Sequence, residues 1–156
     1  MSYRRMWLFQ ANPRLYRLLD SLVDLRLEDD VWKVTRYKRD ISEGDIALIW
    51  QCGEFNGRGI YAVVDVTSNV QLLADSPHST QYWINPSDRN QILDRVRIHR
   101  VLNRERRLMS EEELMAIPEF DITNIFPVRQ GTNFKVEGNE REIILDLLNR
   151  RFGYVP

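Results

Sequence analysis

The feature that most constrains this chain is a pair of apolar, branched-rich runs, IALIWQ at 46–51 and GIYAVVDVT at 59–67, joined through CGEFNGRG. Runs this short, bounded by glycine-bearing turns, predict paired strands rather than helices. The three glycines of the connection let its backbone bend tightly or approach a neighbour closely. The second run is strongly apolar, as expected of a strand that is covered by other elements. The first run ends on Trp50, a costly ring to place beside a loop that water can reach. Trp50 is therefore a candidate for a pocket wall as well as for the core.

The remaining punctuation completes an α+β pattern. YRRMWLFQA (3–11) reads as a strand, with Trp7 inside it as core. Asn12 then stands as an N-cap with Pro13 at the first helical position, and Leu15, Leu18, Leu19, Leu22 and Val23 recur at helical spacing, predicting a helix over 13–24. VWKVTRY (31–37) is a short extended segment, 40–45 a turn, and 68–81 an irregular excursion. In RVRIHRVL (95–102) Val96 and Ile98 share one face while Arg95, Arg97 and His99 share the other, predicting a half-exposed strand with a basic outer side. Ser110 and Glu113 form a capping box for a short helix that Pro118 halts. A loop and short strand follow, and EGNEREIILDLLNRRFG closes the chain as an amphipathic helix stopped by Gly153. The pattern predicts one domain over 1–156, with a mixed or antiparallel sheet curled into a barrel and helices packed on it.

Composition narrows the chemistry. A hydrophobic share of 43% and a charged share of 29% are those of a globular protein. No run approaches the roughly 20 apolar residues of a bilayer span, and the N-terminus carries no signal-peptide pattern, so a cytoplasmic location is the expectation. Cys52 is the only cysteine, which excludes an internal disulfide and a multi-cysteine zinc site. His78 and His99 have no metal-binding partnership, and no phosphate-cradling glycine motif is present. The expectation is a non-enzyme with no metal and no cofactor. A net charge of −1 argues against coating nucleic acid by charge alone, yet six arginines between 95 and 107 face a single acid, Glu105.

The order WLFQANP, then WKVTR, then ISEGDIALIW joined to GIYAVVDV, and finally RQGTNF before the last helix resembles the EVE domain, a PUA-like family related to the YTH domain. The resemblance covers roughly residues 5 to 150. It implies a PUA-like small β-barrel with peripheral helices and a concave site for one base. YTH domains hold N6-methyladenine of RNA in an aromatic cage, and EVE domains are implicated in reading modified DNA bases such as 5-methylcytosine and 5-hydroxymethylcytosine. The implied partner is DNA or RNA carrying a modified base. Many such domains accompany nucleases, so a separate nuclease or modification enzyme is an implied partner.

The resemblance puts Trp32 where the YTH domain has its first cage tryptophan, and Tyr82 and Trp83 in the region of its later cage aromatics. Trp50 is a further wall candidate. Asn12 and the Gln130, Thr132 and Asn133 of RQGTNF offer amide and hydroxyl groups to a base edge, with Thr35 and Ser42 candidates by proximity. Lys33, Arg36, Lys38 and Arg39 flank Trp32, and Arg97 and Arg129 extend the positive set, with Arg95 and Arg100 as possible continuations along the arginine-rich strand. Such cations position a phosphate backbone. Two rival readings stand beside this one. An RNA- or nucleotide-modifying activity would draw on an acid such as Asp45 or Asp65. A small-molecule or protein-interaction module would use the same ring-lined slot.

Overall fold

A computed structural model of the chain describes residues 3–128 and 131–156. Eight strands form one sheet: β1 (Met6–Ala11), β2 (Asp29–Lys33), β3 (Ile46–Gln51), β4 (Gly59–Val66), β5 (Gln71–Leu73), β6 (Leu93–Asn103), β7 (Met109–Ser110) and β8 (Asn133–Val136). Among the described residues three α-helices accompany them: α1 (Leu18–Leu22), α2 (Glu111–Met115) and α3 (Gly138–Phe152). The main path runs β2-β6-β4-β3-β1-β8, with β5 beside β6 and β7 beside β4. The pair β1–β3 is parallel, and the other pairs are antiparallel.

Alternation of side chains across β1 and β3 builds two apolar layers. Met6, Leu8, Ile46, Leu48 and Trp50 join one cluster, which Phe126, Phe134, Ile144 and Leu148 close. Trp7, Phe9, Ala47 and Ile49 join the other, with Tyr16, Leu18, Val96 and Ile98. Ile144 and Leu148, one turn apart on α3, supply its buried stripe. Gly153 ends α3 in the left-handed conformation, φ 68°, and donates its N–H to the Asn149 carbonyl. The Ser110–Glu113 capping box is formed at α2.

Two irregularities, at Ile49/Trp50 between β3 and β4 and at Val63/Val64 between β4 and β6, bend the sheet. The curl brings the edges β2 and β8 near each other, but the expected barrel does not close. Among the described residues no ladder joins the two strands. The fully buried side chain of Asn133 lies between them instead. Its Oδ1 accepts the N–H groups of Thr35 (2.8 Å) and Arg36 (3.3 Å), and its Nδ2 donates to the Lys33 carbonyl (3.2 Å). A side-chain amide between two backbones holds them too far apart for direct ladder bonds. The result is a stitched seam in place of a closed wall.

Three local expectations change. The helix expected over 13–24 shrinks to Leu18–Leu22, because Tyr16 forms a β-bridge with Trp83 and Arg17 donates its N–H to the Tyr82 carbonyl. That long-range pair holds Arg17 at φ −82°, ψ 77°, outside the helical region. The stretch 68–81 contains the short strand β5, which extends the edge of β6 already occupied by β4. The outer side of β6 is not a row of free cations. Residues 74–92 cover Arg95, which is 3% exposed, and Arg100 donates to the carbonyls of Leu22, Ser21 and Asp24.

Candidate functional site

A cavity of about 410 Å³ opens at the seam. Its walls come from β2 on one side, the end of β1 and the turn into β8 on another, and the segments 12–16 and 75–83 across the mouth. The turn after β3 completes the rim. Cys52 donates its N–H to the Ala11 carbonyl, and Gly53, at φ 101°, lies so close to Pro13 that a Cβ would meet the ring carbon at 2.8 Å. Only glycine fits that approach and that backbone angle.

Two indoles line the space. Trp32, on β2, backs onto Phe9 with ring centroids 6.2 Å apart and planes 13° from parallel. Tyr16 meets the edge of Trp32 at 6.5 Å and the ring of Trp83 at 4.8 Å, so one buried phenol braces both indoles. Burial pushes the Tyr16 hydroxyl upward in pKa, so it stays protonated.

Trp83 is fixed by a carboxylate. Asp75 accepts from Trp83 Nε1 (3.2 Å), Arg95 Nη1 (2.5 Å), Thr80 Oγ1 (3.2 Å) and the Asn90 N–H (2.9 Å). Those four bonds occupy about all the acceptor capacity of a carboxylate. Asp75 therefore positions its neighbours and has little left to offer a ligand. The Asp75 and Arg95 side chains are 2% and 3% exposed, and their opposite charges leave this end of the cavity formally neutral.

The sequence candidates divide on this geometry. Trp32, Trp83, Asn12 and Thr132 line the cavity. The Asn12 Oδ1 accepts the Arg14 N–H at 3.0 Å, so that oxygen serves the turn. Trp50 does not reach the cavity. It is 0% exposed and packs on Phe126, 5.2 Å away, because it shares its face of β3 with Ile46 and Leu48. Tyr82 does not line it either, since its hydroxyl donates to Asp24 Oδ2 at 2.6 Å outside the mouth. Gln130 and Arg129 lie outside the described residues. Among the cations, Lys33 lines the cavity, and Arg36 lies against Gly131, whose Cβ position would be 3.9 Å from Arg36 Cδ. Arg97 is exposed on β6 opposite Val31, and Arg39 is exposed in the turn beyond β2. Asn133 is spent on the seam, where it accepts the Thr35 N–H. Thr35 itself is exposed and does not line the cavity, and the Ser42 N–H donates to Asp45.

The acids weighed for catalysis are both engaged by neighbouring side chains. Asp45 accepts from Trp7 Nε1 at 2.8 Å, and Asp65 pairs with Arg4 at 2.6 Å. Among the described residues no group of three or more His, Cys, Asp or Glu side chains is arranged to hold a metal ion. The site can enclose a flat, uncharged ring between apolar walls. Tyr16 and Asp75 were not singled out from sequence for this site, and Arg95, weighed there as a phosphate contact, is instead buried against Asp75. The bridge that turns Tyr16 inward joins residues 67 positions apart, and no local pattern announces it.

The model of the EVE domain family matches residues 5–147. No curated protein matches the chain. Among solved structures, human THYN1 in complex with 5-methylcytosine-containing DNA superposes with a TM-score of 0.63 at 16% identity, over 92% of this chain and 96% of that one. A hypothetical protein from Leishmania major gives a TM-score of 0.62 at 18% identity, over 96% and 97% of the two chains. The YTH domain of Zygosaccharomyces rouxii MRB1, in complex with N6-methyladenosine RNA, gives 0.53 at 13% identity, over 99% and 90%. At these identities the likeness is one of fold.

Proposed function

The chain belongs to the EVE domain family, and from that premise we propose that it is a non-catalytic module that binds nucleic acid by taking one modified base into the cavity between Trp32 and Trp83. The observation that carries this reading is the pair of indoles from separate elements lining one cavity, braced by Tyr16 and Asp75. Support comes from two proteins of the same fold, one bound to 5-methylcytosine DNA and the other to N6-methyladenosine RNA.

The energetics are coherent. Drawing a base out of its stack costs about a few kcal/mol. Stacking on an aromatic wall returns roughly 1–3 kcal/mol per base. A methyl group buried beside the rings adds on the order of 0.8 kcal/mol, so discrimination by the methyl alone is modest. Sharper selectivity falls to polar groups that a wrong base would leave unpaired, for which Thr132 and Asn12 are placed at the mouth. Lys33 and Arg36 supply phosphate contacts there, with Arg39 and Arg97 further out. A nuclease or modification enzyme would then be a separate partner that acts on the base this chain selects.

The test is a titration against single-stranded and duplex DNA and RNA. Each carries one unmodified, 5-methylated, 5-hydroxymethylated or N6-methylated base, with Trp32→Ala and Trp83→Ala alongside. The wild type should prefer one modified base, and each variant should lose about 1–3 kcal/mol of binding while remaining folded. Cys52 gives an independent readout, since it is the only cysteine and lines the cavity. A ligand seated there should slow its alkylation. Equal affinity across the panel, or binding that leaves Cys52 as reactive as before, would sink the reading.

A further inference from the structure

A base that enters the cavity leaves a gap in the strand it came from, and only protein atoms at the mouth can face that gap. Among the described residues four that line the cavity are exposed, namely Asn12, Leu15, Lys33 and Gly131, and of these only Leu15 carries a large apolar side chain. It is 48% exposed. Its carbonyl accepts the Ile84 N–H at 3.0 Å, and Ile84 is 49% exposed.

These two residues belong to the same small ribbon that carries the walls. In the Tyr16–Trp83 bridge, the adjacent opposed pair is Leu15 and Ile84. Opposed side chains on paired strands lie about 5 Å apart, and successive pairs point to opposite sides. The inner pair braces and lines the cavity while the next pair presents adjacent branched side chains to water at its edge. A single exposed leucine needs no explanation. Two in register at the lip of an aromatic cavity form a ridge with a direction. Arg14 precedes Leu15 in the chain and is exposed, which suits a ridge set against phosphates.

We propose that Leu15, with Ile84 beside it, is a wedge that fills the stack vacated by the extracted base, and that the target is therefore a duplex. This rests on the base-binding reading above and adds the form of nucleic acid. Apolar wedges of this size are a general means of holding a duplex open at a step, because they replace base stacking with side-chain contact. A single strand has no complementary strand to hold the flanking base pairs in place around the gap, so it can relax there and gains little from the ridge.

The experiment uses the full chain and DNA oligonucleotides carrying 5-methylcytosine, 5-hydroxymethylcytosine or N6-methyladenine, each as a single strand and as the matched duplex. Wild type, Leu15→Ser, Ile84→Ser, the conservative Leu15→Met and Trp32→Ala are compared, with thermal unfolding to confirm the fold. Leu15→Ser should weaken duplex binding roughly tenfold, the order expected for a leucine that loses its burial. Ile84→Ser, whose side chain does not line the cavity, should also weaken duplex binding and leave single-strand binding at the wild-type level. Leu15→Ser should lose less on the single strand than on the duplex, and Leu15→Met should retain most of the duplex affinity. Equal losses on both forms would make Leu15 simply a piece of the cavity wall and overturn the wedge. So would a wild type that prefers the single strand. In either case single-strand binding that still depends on Trp32 would leave the base-binding reading standing. Failure of the wild type to bind any form would remove that reading, and the wedge with it.

Discussion

The two faces of the sheet use the same residue types to different ends. On the α3 side, Trp50 is sealed beneath Phe126 and the helix, in a layer of aliphatic and aromatic side chains. On the opposite side, Trp32 and Trp83 remain partly open, and the ring of Trp83 is held in place by the Asp75 carboxylate. A sealed tryptophan gains its full burial. A tryptophan at a seam gives up part of that burial and is held by directional bonds, which leaves apolar ring surface for something else to cover. Both faces carry a buried core, and the second also leaves partly open indole surface at the seam.

The sharpest way to break this contrast is to truncate a ring on each side. Trp50→Ala should cost about 3–5 kcal/mol of stability, the range for an aromatic ring removed from a packed core, and should leave the affinity of the remaining folded protein unchanged. Trp32→Ala should do the reverse, with a stability loss nearer 1 kcal/mol and the binding loss described above. Chemical denaturation and titration of both variants check this together. If Trp50→Ala weakened binding as much as Trp32→Ala, the two faces would not be separable.

A second comparison is between removing a wall and releasing it. Asp75→Ala leaves the Arg95 guanidinium buried without its counter-charge and frees Trp83 Nε1 and Thr80. The expected loss is about 3 kcal/mol of stability. Binding should fall as well, though no atom of Asp75 needs to touch the ligand. Asp75→Asn can accept on one atom and should recover part of both quantities. An Asn variant that restored stability and left binding at the Ala level would assign Asp75 a direct contact instead.

The seam itself ranks next. Asn133→Ala removes the acceptor for two backbone N–H groups and a donor to the Lys33 carbonyl, at about 1–3 kcal/mol. Since β2 carries Trp32, hydrogen exchange should rise at residues 33–36 before it rises in β3 or β4. Uniform acceleration across the sheet would mean that the amide is not a local stitch.

These contrasts also show what the sequence makes legible. The strands at 46–51 and 59–67, the α2 capping box and the final helix with its Gly153 stop are local patterns, and the structure keeps them. The family was legible in the order of short motifs along the chain. The distribution of tryptophans was not. Trp50 ends an apolar run beside a glycine turn, which suggests exposure, but its fate depends on which face of β3 the even-numbered residues occupy. Tyr16 sits within a helical repeat of leucines, and only its pairing with Trp83 turns it inward. The arginines of β6 alternate correctly, yet residues 74–92 fold over Arg95, and turn carbonyls collect Arg100. Each of these outcomes is set by contacts distant in sequence, where periodicity carries no information.

The smallest expected effect concerns a carboxylate on the open face. Asp30 stands on β2 two residues before Trp32, accepts from Ser76 Oγ at 2.7 Å and the Val31 N–H at 2.8 Å, and has Arg100, Asp75 and the Tyr16 hydroxyl around it. Burial dominates these influences and raises its pKa above the ordinary carboxylate value. The folded chain thus holds this proton more tightly than the unfolded one. Its stabilising contribution is complete below about pH 3.9 and is lost as the pH rises through the raised folded value. Asp30→Asn is neutral throughout and can still accept from Ser76 and Val31. Its Tm should exceed the wild type by roughly 1–3 °C at pH 7, with the two curves converging towards pH 3. A variant less stable than the wild type at pH 7 would mean that Arg100 needs the negative charge, and that this face tolerates polar groups because they are paired rather than in spite of their burial.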